Sequence, residues 1–473
     1  MEARAKKATL SGHVTAFTLC VLAGSELCYL YLGFESASIL AVGAFCAIIL
    51  VIGPTAGLRE WLLFGLSLCL SAVAIVVGEP AATTYDALKT ASFFAAFIFL
   101  VTLLKEAAER SPSILAIGTY LTSQPAGRRY YATAFGGHFF GVLLNFGAIS
   151  LLAPLVQRGA RVNGRDRQVN ARAIRIMEQR QLSALIRGFS WIIIWAPTAL
   201  TQAVILFELP QADPVKVITL GLVASLMMIV LGRVEDRVRW RATSFGGPKN
   251  CRPFPRRAVV NVLAICGLLI GPTILIASRT HLTTASALML MAPIVFVLWI
   301  AALSQAARSL SGRSKAIQKT LGSVLSSASP GLARNAFSLG ASGFIGIMAA
   351  ALAPVAQIAE AVDLTTIPGW LFLAALPVII TLGGQLALSP IMVVVFLASI
   401  IRELTDIPVS QTMIAFSLAS GWALSMTASP NATATLLISG VCGVPPTTLT
   451  WRWNGWYAFF CFLVFCLFFF VLT

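Results

Sequence analysis

Hydrophobic positions along this chain fall in long blocks rather than in the short alternations of a soluble domain. A run of about 20 apolar residues is what a helix needs to cross the hydrocarbon of a bilayer. The pattern predicts spans at about 14–32, 38–54, 60–78, 91–104, 183–208, 213–232, 258–278, 283–303, 336–359, 409–440 and 455–473. Two further apolar stretches, 131–156 and 366–401, are left over. The expected fold class is an all-α polytopic membrane protein with about eleven transmembrane helices.

Charge decides what the two leftover stretches do. The loop at 157–180 carries seven arginines, 233–257 carries eight basic residues and 304–334 carries five. Cytoplasmic loops are the ones enriched in Lys and Arg, so all three are expected inside. With a cytoplasmic N-terminus, the fourth span also ends inside, at "KEAAERSPS". A single crossing by 131–156 would then place the seven-arginine loop outside. The stretch is therefore expected to enter and leave on one side as a re-entrant hairpin. In the second half, 336–359 exits near Glu360 and Asp363, and 366–401 ends at the acidic "IRELTDIP". It reads as a second hairpin entered from the opposite face.

The two halves then share one order of elements in opposite orientations, which is an inverted-topology repeat of the kind many secondary transporters are built from. Residues 1–37 form an extra helix, 38–232 the first repeat, 233–257 a cytoplasmic basic linker and 258–473 the second repeat. The C-terminus is expected outside, in a plasma membrane protein of the bacterial inner-membrane type.

Composition agrees. Of 473 residues, 58% are hydrophobic and 11% charged, against about 25% charged in soluble domains. The net charge of +16 is accounted for by loop topology, so the partners expected are the bilayer and a small solute, with no nucleic acid. Nine cysteines show no metal-ligand spacing and three histidines are scattered, so no cofactor is expected beyond a coupling ion.

Candidate chemistry lies where spans are interrupted. "TASPNATATLLISG" (427–440) places proline and asparagine inside a span, and "WAPTALTQAVILFELP" (195–210) is its counterpart in the first half. Pro197 and Pro430 fall at equivalent depths, and each segment ends at another proline, Pro210 or Pro445. A break frees backbone carbonyls and amides to bind ions or substrate where they line a cavity. Thr198, Thr201, Gln202, Ser429, Asn431, Thr433 and Thr435 supply neutral ligands beside the breaks. At the hairpin turns, Asn145, Gly147 and Ser150 stand in one half, and Gly384, Gln385 and Ser389 in the other. A helix leaving each tip presents free N–H groups and a positive dipole end, an anion site that needs no buried lysine.

This plan resembles the ion transporter superfamily, which includes the divalent anion:sodium symporters and the arsenite/antimonite permeases. "TASPNATATLLISG" is similar to the Thr-Pro-Pro-Asn stretch of the sodium:dicarboxylate symporters, and "LLNFGAISLLAPL" (143–155) to the Asn-Asp-Gly-Ala hairpin of the arsenite permeases. The resemblance implies sodium at Asn145, Thr198 and Asn431, with the substrate held by hairpin tips and helix breaks. Phe146, the Gly-Gly-Gln of the second hairpin and "APTAL" at the first break depart from the family pattern.

His138, in "FGGHFFG", and Glu26, inside the first span, are candidate proton carriers. Arg187 reads as a cytoplasmic anchor at a helix entrance. The expected function is secondary active transport of a small anionic solute by alternating access, coupled to Na+ or H+, in a homodimer and without enzymatic chemistry. The alternatives are the membrane subunit of a binding-protein-dependent carrier and an integral-membrane enzyme acting on lipid-linked substrates.

Overall fold

The computed structural model describes residues 2–122, 124–165, 169–241, 253–304, 310–323, 329–354, 357, 367–404 and 407–473. Glu360, Asp363 and the middle of the 233–257 loop lie outside the described residues. The described chain is helical, with no strand. In order the helices are α1 (Glu2–Leu32), α2 (Glu35–Ile52), α3 (Leu58–Val77), α4 (Ala81–Glu109), α5 (Pro112–Thr122), α6 (Ala126–Leu144), α7 (Gly147–Arg165), α8 (Ala171–Ser190), α9 (Leu200–Glu208) and α10 (Pro214–Arg239). They continue with α11 (Arg256–Arg279), α12 (Thr284–Leu303), α13 (Leu310–Ser323), α14 (Ser329–Ala351), α15 (Gly369–Gln385), α16 (Pro390–Glu403), α17 (Gln411–Ala428), α18 (Thr433–Cys442) and α19 (Gly455–Leu472).

Among the described residues, eight helices are long and apolar enough to cross a membrane. This is an integral membrane protein. The three expected spans outside that set are 183–208, 409–440 and 336–359. The first two are interrupted at the prolines, and the third is α14, whose first turns "SPGLARN" are polar.

Local signals set many helix ends. Asp213 caps α10 by accepting from the Val215 and Lys216 amides at 2.9 and 3.2 Å, with Pro214 at the first helical position. Asn170 caps α8 through the Ala173 amide at 2.9 Å, which starts that helix well before the apolar run does. Gly443, at φ +68°, ends α18 in the left-handed cap that favours glycine.

The chain divides into two compact units. Unit 1 comprises residues 1–107, 265–355 and 395–403. Its helices pack closely where side chains are absent: a Cβ on Gly340 of α14 would sit 2.7 Å from the Ala91 carbonyl of α4. Unit 2 comprises 108–264, 356–394 and 404–473. It holds both interrupted rods and both helix–turn–helix pairs, α6–α7 and α15 with the first turn of α16. Within it α6 packs on α8 and α15 packs on α17, while α17 also touches α9.

Candidate functional site

Each interrupted rod breaks just as its proline demands. The first passes from α8 through a tight 3-10 turn, Trp191–Ile194, to Pro197, and resumes at α9. The second leaves α17 at Ala428, extends at Ser429 (φ −95°, ψ 129°) as a residue before proline is driven to do, and resumes at α18. Ala199 and Ala432 cap the resumed helices at the same distance past their prolines, and their amides bond Ala196 and Ser429 carbonyls at 2.9 and 3.2 Å.

The breaks are spanned from both sides in matching fashion. Gln202 Nε2 donates to the Ile193 carbonyl at 3.3 Å, and Thr435 Oγ1 donates to the Met426 carbonyl at 3.3 Å. Gln202 and Thr435 each stand five residues after their proline, and Ile193 and Met426 four before. Both bonds tie carbonyls that the missing helical turn would otherwise leave bare.

The hairpin ends dock on the breaks in the same paired way. Thr198, next after Pro197, donates from Oγ1 to the Val142 carbonyl at 2.5 Å, near the end of α6. Asn431, next after Pro430, donates from Nδ2 to the Gly384 and Gln385 carbonyls at 3.2 and 3.1 Å, at the end of α15. Ser429 Oγ also donates to Gly384 O at 2.7 Å, and Gln385 Nε2 returns a bond to Ala428 O at 3.1 Å. The tips themselves carry the two positive-φ residues other than glycine among those described, Asn145 (φ 49°) and Ala387 (φ 64°). Both turns pass through a positive φ that non-glycine residues seldom adopt.

Gly384, Gln385, Ser429 and Asn431 are thus brought together, and Thr198, beside Pro197, meets the first hairpin. Asn145 occupies that hairpin's turn, with Gly147 opening α7 behind it. Ser150 bonds back to Phe146 O at 3.5 Å, Thr201 is buried in α9, and Thr433 and Ser389 stand at helix starts. Asn431 is exposed, and its Oδ1 forms no hydrogen bond among the described residues. Thr198→Val, which keeps the shape and removes the hydroxyl, is expected to destabilise by about 1 kcal/mol. Thermal unfolding of the purified protein checks this.

His138 is held on both ring nitrogens. Nδ1 meets the Gly188 carbonyl at 2.9 Å and Nε2 accepts from Trp195 Nε1 at 3.0 Å, with the two rings stacked. The partners set a neutral Nδ1–H tautomer, and the imidazole bridges α6 to the first break. Glu26 lies in unit 1, buried in α1, where Ser92 Oγ donates to it at 3.1 Å.

Two features escaped the sequence pattern. Arg187 is 2% exposed, not an anchor in the headgroups. Its Nε donates to Asn454 Oδ1 at 2.8 Å, its Nη1 to Glu235 Oε2 at 2.8 Å and to Gly232 O at 3.1 Å, and the guanidinium lies 4.2 Å over the Tyr457 ring. The second is a π-helical turn, Thr448–Asn454, between α18 and α19. From it Trp451 Nε1 donates to Gln385 Oε1 at 3.1 Å. The chain offered one hint, for the second: Pro445 and Pro446 stand just ahead of the turn that carries "TWRWN" (450–454).

Paired helix–turn–helix elements docked on two interrupted rods define a helical membrane fold. The solved structure of the YdaH transporter from Alcanivorax borkumensis, described as having an unusual topology, is similar with a TM-score of 0.56. The likeness covers 87% of this chain and 97% of that one at 14% sequence identity, a level that shows shared fold. No family model matches the chain, and no curated protein matches it in sequence.

Proposed function

We propose that this protein is a secondary active transporter that carries a small anionic solute across the membrane by alternating access, coupled to Na+ or H+. One observation carries the reading. In each half the side chain just past the proline, Thr198 or Asn431, reaches a carbonyl at the end of a hairpin helix. Neither bond is needed to make a kinked helix; both are what a paired site of tips and breaks requires. The transporter fold of the YdaH neighbour supports the same conclusion.

On this reading 38–232 and 258–473 are inverted repeats, and 131–156 and 366–401 are re-entrant hairpins. The solute's negative charge is met by the N-terminal turns of α7, α9 and α18, whose free N–H groups and dipoles favour an anion. Neutral oxygens such as those of Asn145, Thr198 and Asn431 are the ligand type sodium takes, while protonation of His138, which would displace Trp195 from Nε2, is the proton-coupled route. Unit 2 moves as the transport element, and unit 1 serves as a scaffold through which two copies pair in the bacterial inner membrane.

Asn431→Ala removes the two bonds to the hairpin end and the amide oxygen together. In proteoliposomes supplied with candidate anions, with and without a sodium or proton gradient, the variant is expected to lose at least about tenfold of uptake. Uptake unchanged in both Asn431→Ala and Asn145→Ala sinks the site assignment.

A further inference from the structure

The π-helical turn between α18 and α19 faces two ways. At one side Trp451 fixes the Gln385 amide: its indole N–H takes Oε1, which leaves Nε2 for the Ala428 carbonyl. The indole is 58% exposed, so burial does not explain its orientation, and the hydrogen bond does. At the other side Asn454 accepts from Arg187, which lies in α8 just ahead of the first break.

The turn between those two residues is braced along its length. Asn454 Nδ2 closes back on the Leu449 carbonyl at 2.7 Å, and Arg239 takes the Trp453 and Arg452 carbonyls at 2.9 and 3.0 Å. Widening of the turn lengthens the backbone repeat and sets Trp451 and Asn454 towards different partners, and such turns recur at functional sites. Hydrogen bonds at its two ends, joined by the backbone of the turn, therefore link α8 through Asn454 and Trp451 to Gln385 at the end of α15.

We propose that Thr448–Asn454 is a strut: it holds the second hairpin tip on the second break and registers both against the rod that carries the first break. Trp451 and Asn454 act as positioning residues, through Gln385 and Arg187. The inference rests on the transport reading for its purpose, since it names what keeps the two halves of that site aligned. Its geometry stands on the bonds above.

Amide hydrogen exchange of the full chain in lipid nanodiscs, with no solute added, tests it. The reporter is the tip, where the amides of Leu386, Ala387 and Leu388 bond the carbonyls of Leu382, Gly384 and Gly383. Trp451→Phe keeps the ring and removes the donor, and is expected to speed exchange across 386–388 roughly fivefold, the effect of one lost hydrogen bond. Asn454→Ala touches no hairpin residue, and is expected to speed exchange at the same three amides. Exchange in α2 of unit 1 stays as in the parent protein.

An unchanged tip in Trp451→Phe overturns the strut. So does a tip that stays unchanged in Asn454→Ala while the π turn loosens, and so does faster exchange in α2 as well, which marks general loosening. Because no solute enters the measurement, the two readings fail separately: tip exchange can stay unchanged while Asn431→Ala still loses uptake, and tip exchange can rise while uptake is unaffected by Asn431→Ala.

Discussion

Arg187→Met is expected to remove about 3 kcal/mol of stability, the low end for breaking a buried ion pair. Methionine fills a similar volume, so the loss is electrostatic and hydrogen-bonded. Asn454 Oδ1 and Gly232 O lose this donor, and among the described residues Glu235 keeps only Arg239, at 3.4 Å and part-exposed. A paired charge taken from water is stable while its partner stays; a lone one is not. Thermal unfolding in detergent measures the loss. The double variant Arg187→Met with Glu235→Met is expected to be less damaging than the two single losses added together, because it strands neither charge. Simple additivity would show that Arg187 and Glu235 do not stabilise the fold as a pair. Arg187→Lys keeps the charge but not the fork, and falls between.

Gly188→Ala is expected to cost at least about 3 kcal/mol, above the usual range for one added methyl group. A Cβ at Gly188 would sit 1.9 Å from the Ala134 carbonyl oxygen. That neighbour is backbone, so no side chain can rotate aside, and α6 must move off α8. The same shift stretches the bond from His138 to Gly188 O, so loss of stability and loss of the first hairpin's docking come together. Gly221→Ala is a second case, 2.1 Å from the Ile194 carbonyl. Gly267→Ala in α11 is the control: nothing lies within 4 Å of its Cβ, and alanine there is expected to be neutral or to stabilise by up to about 1 kcal/mol. Unfolding midpoints of the three variants check the ranking.

Much of the architecture is legible in the chain because its signals are local. Pro197 and Pro430 cannot donate a helical hydrogen bond, so the interruptions follow from two residues. Asp213, Asn170 and Gly443 mark helix ends by chemistry that acts within one turn. Helix length is less legible. The apolar run from 91 to 104 sits inside a helix that extends over Ala81–Glu109, because hydropathy registers the thickness of hydrocarbon while helical bonds continue into the polar zone.

The candidate site was legible by residue type and not by connection. Threonine and asparagine beside a proline announce ligands, but their bonds to Val142, Gly384 and Gln385 join positions far apart in the chain. Arg187 shows the same gap in a sharper form. Beside a basic loop and at the start of an apolar run, an arginine has every local mark of a headgroup anchor. Its burial is decided by Glu235, Asn454 and Tyr457 from two other helices and a π turn.

The sequence alone determined that the chain is a membrane-embedded bundle of helices, where those helices break and which polar residues stand at the breaks. Backbone hydrogen bonding in hydrocarbon leaves so few alternatives that composition and proline placement suffice. Which carbonyl each of those residues satisfies, which arginine is buried and what braces the hairpin tip were decided only when distant helices packed together. Those choices depend on distances between segments, and no local rule of the chain encodes them.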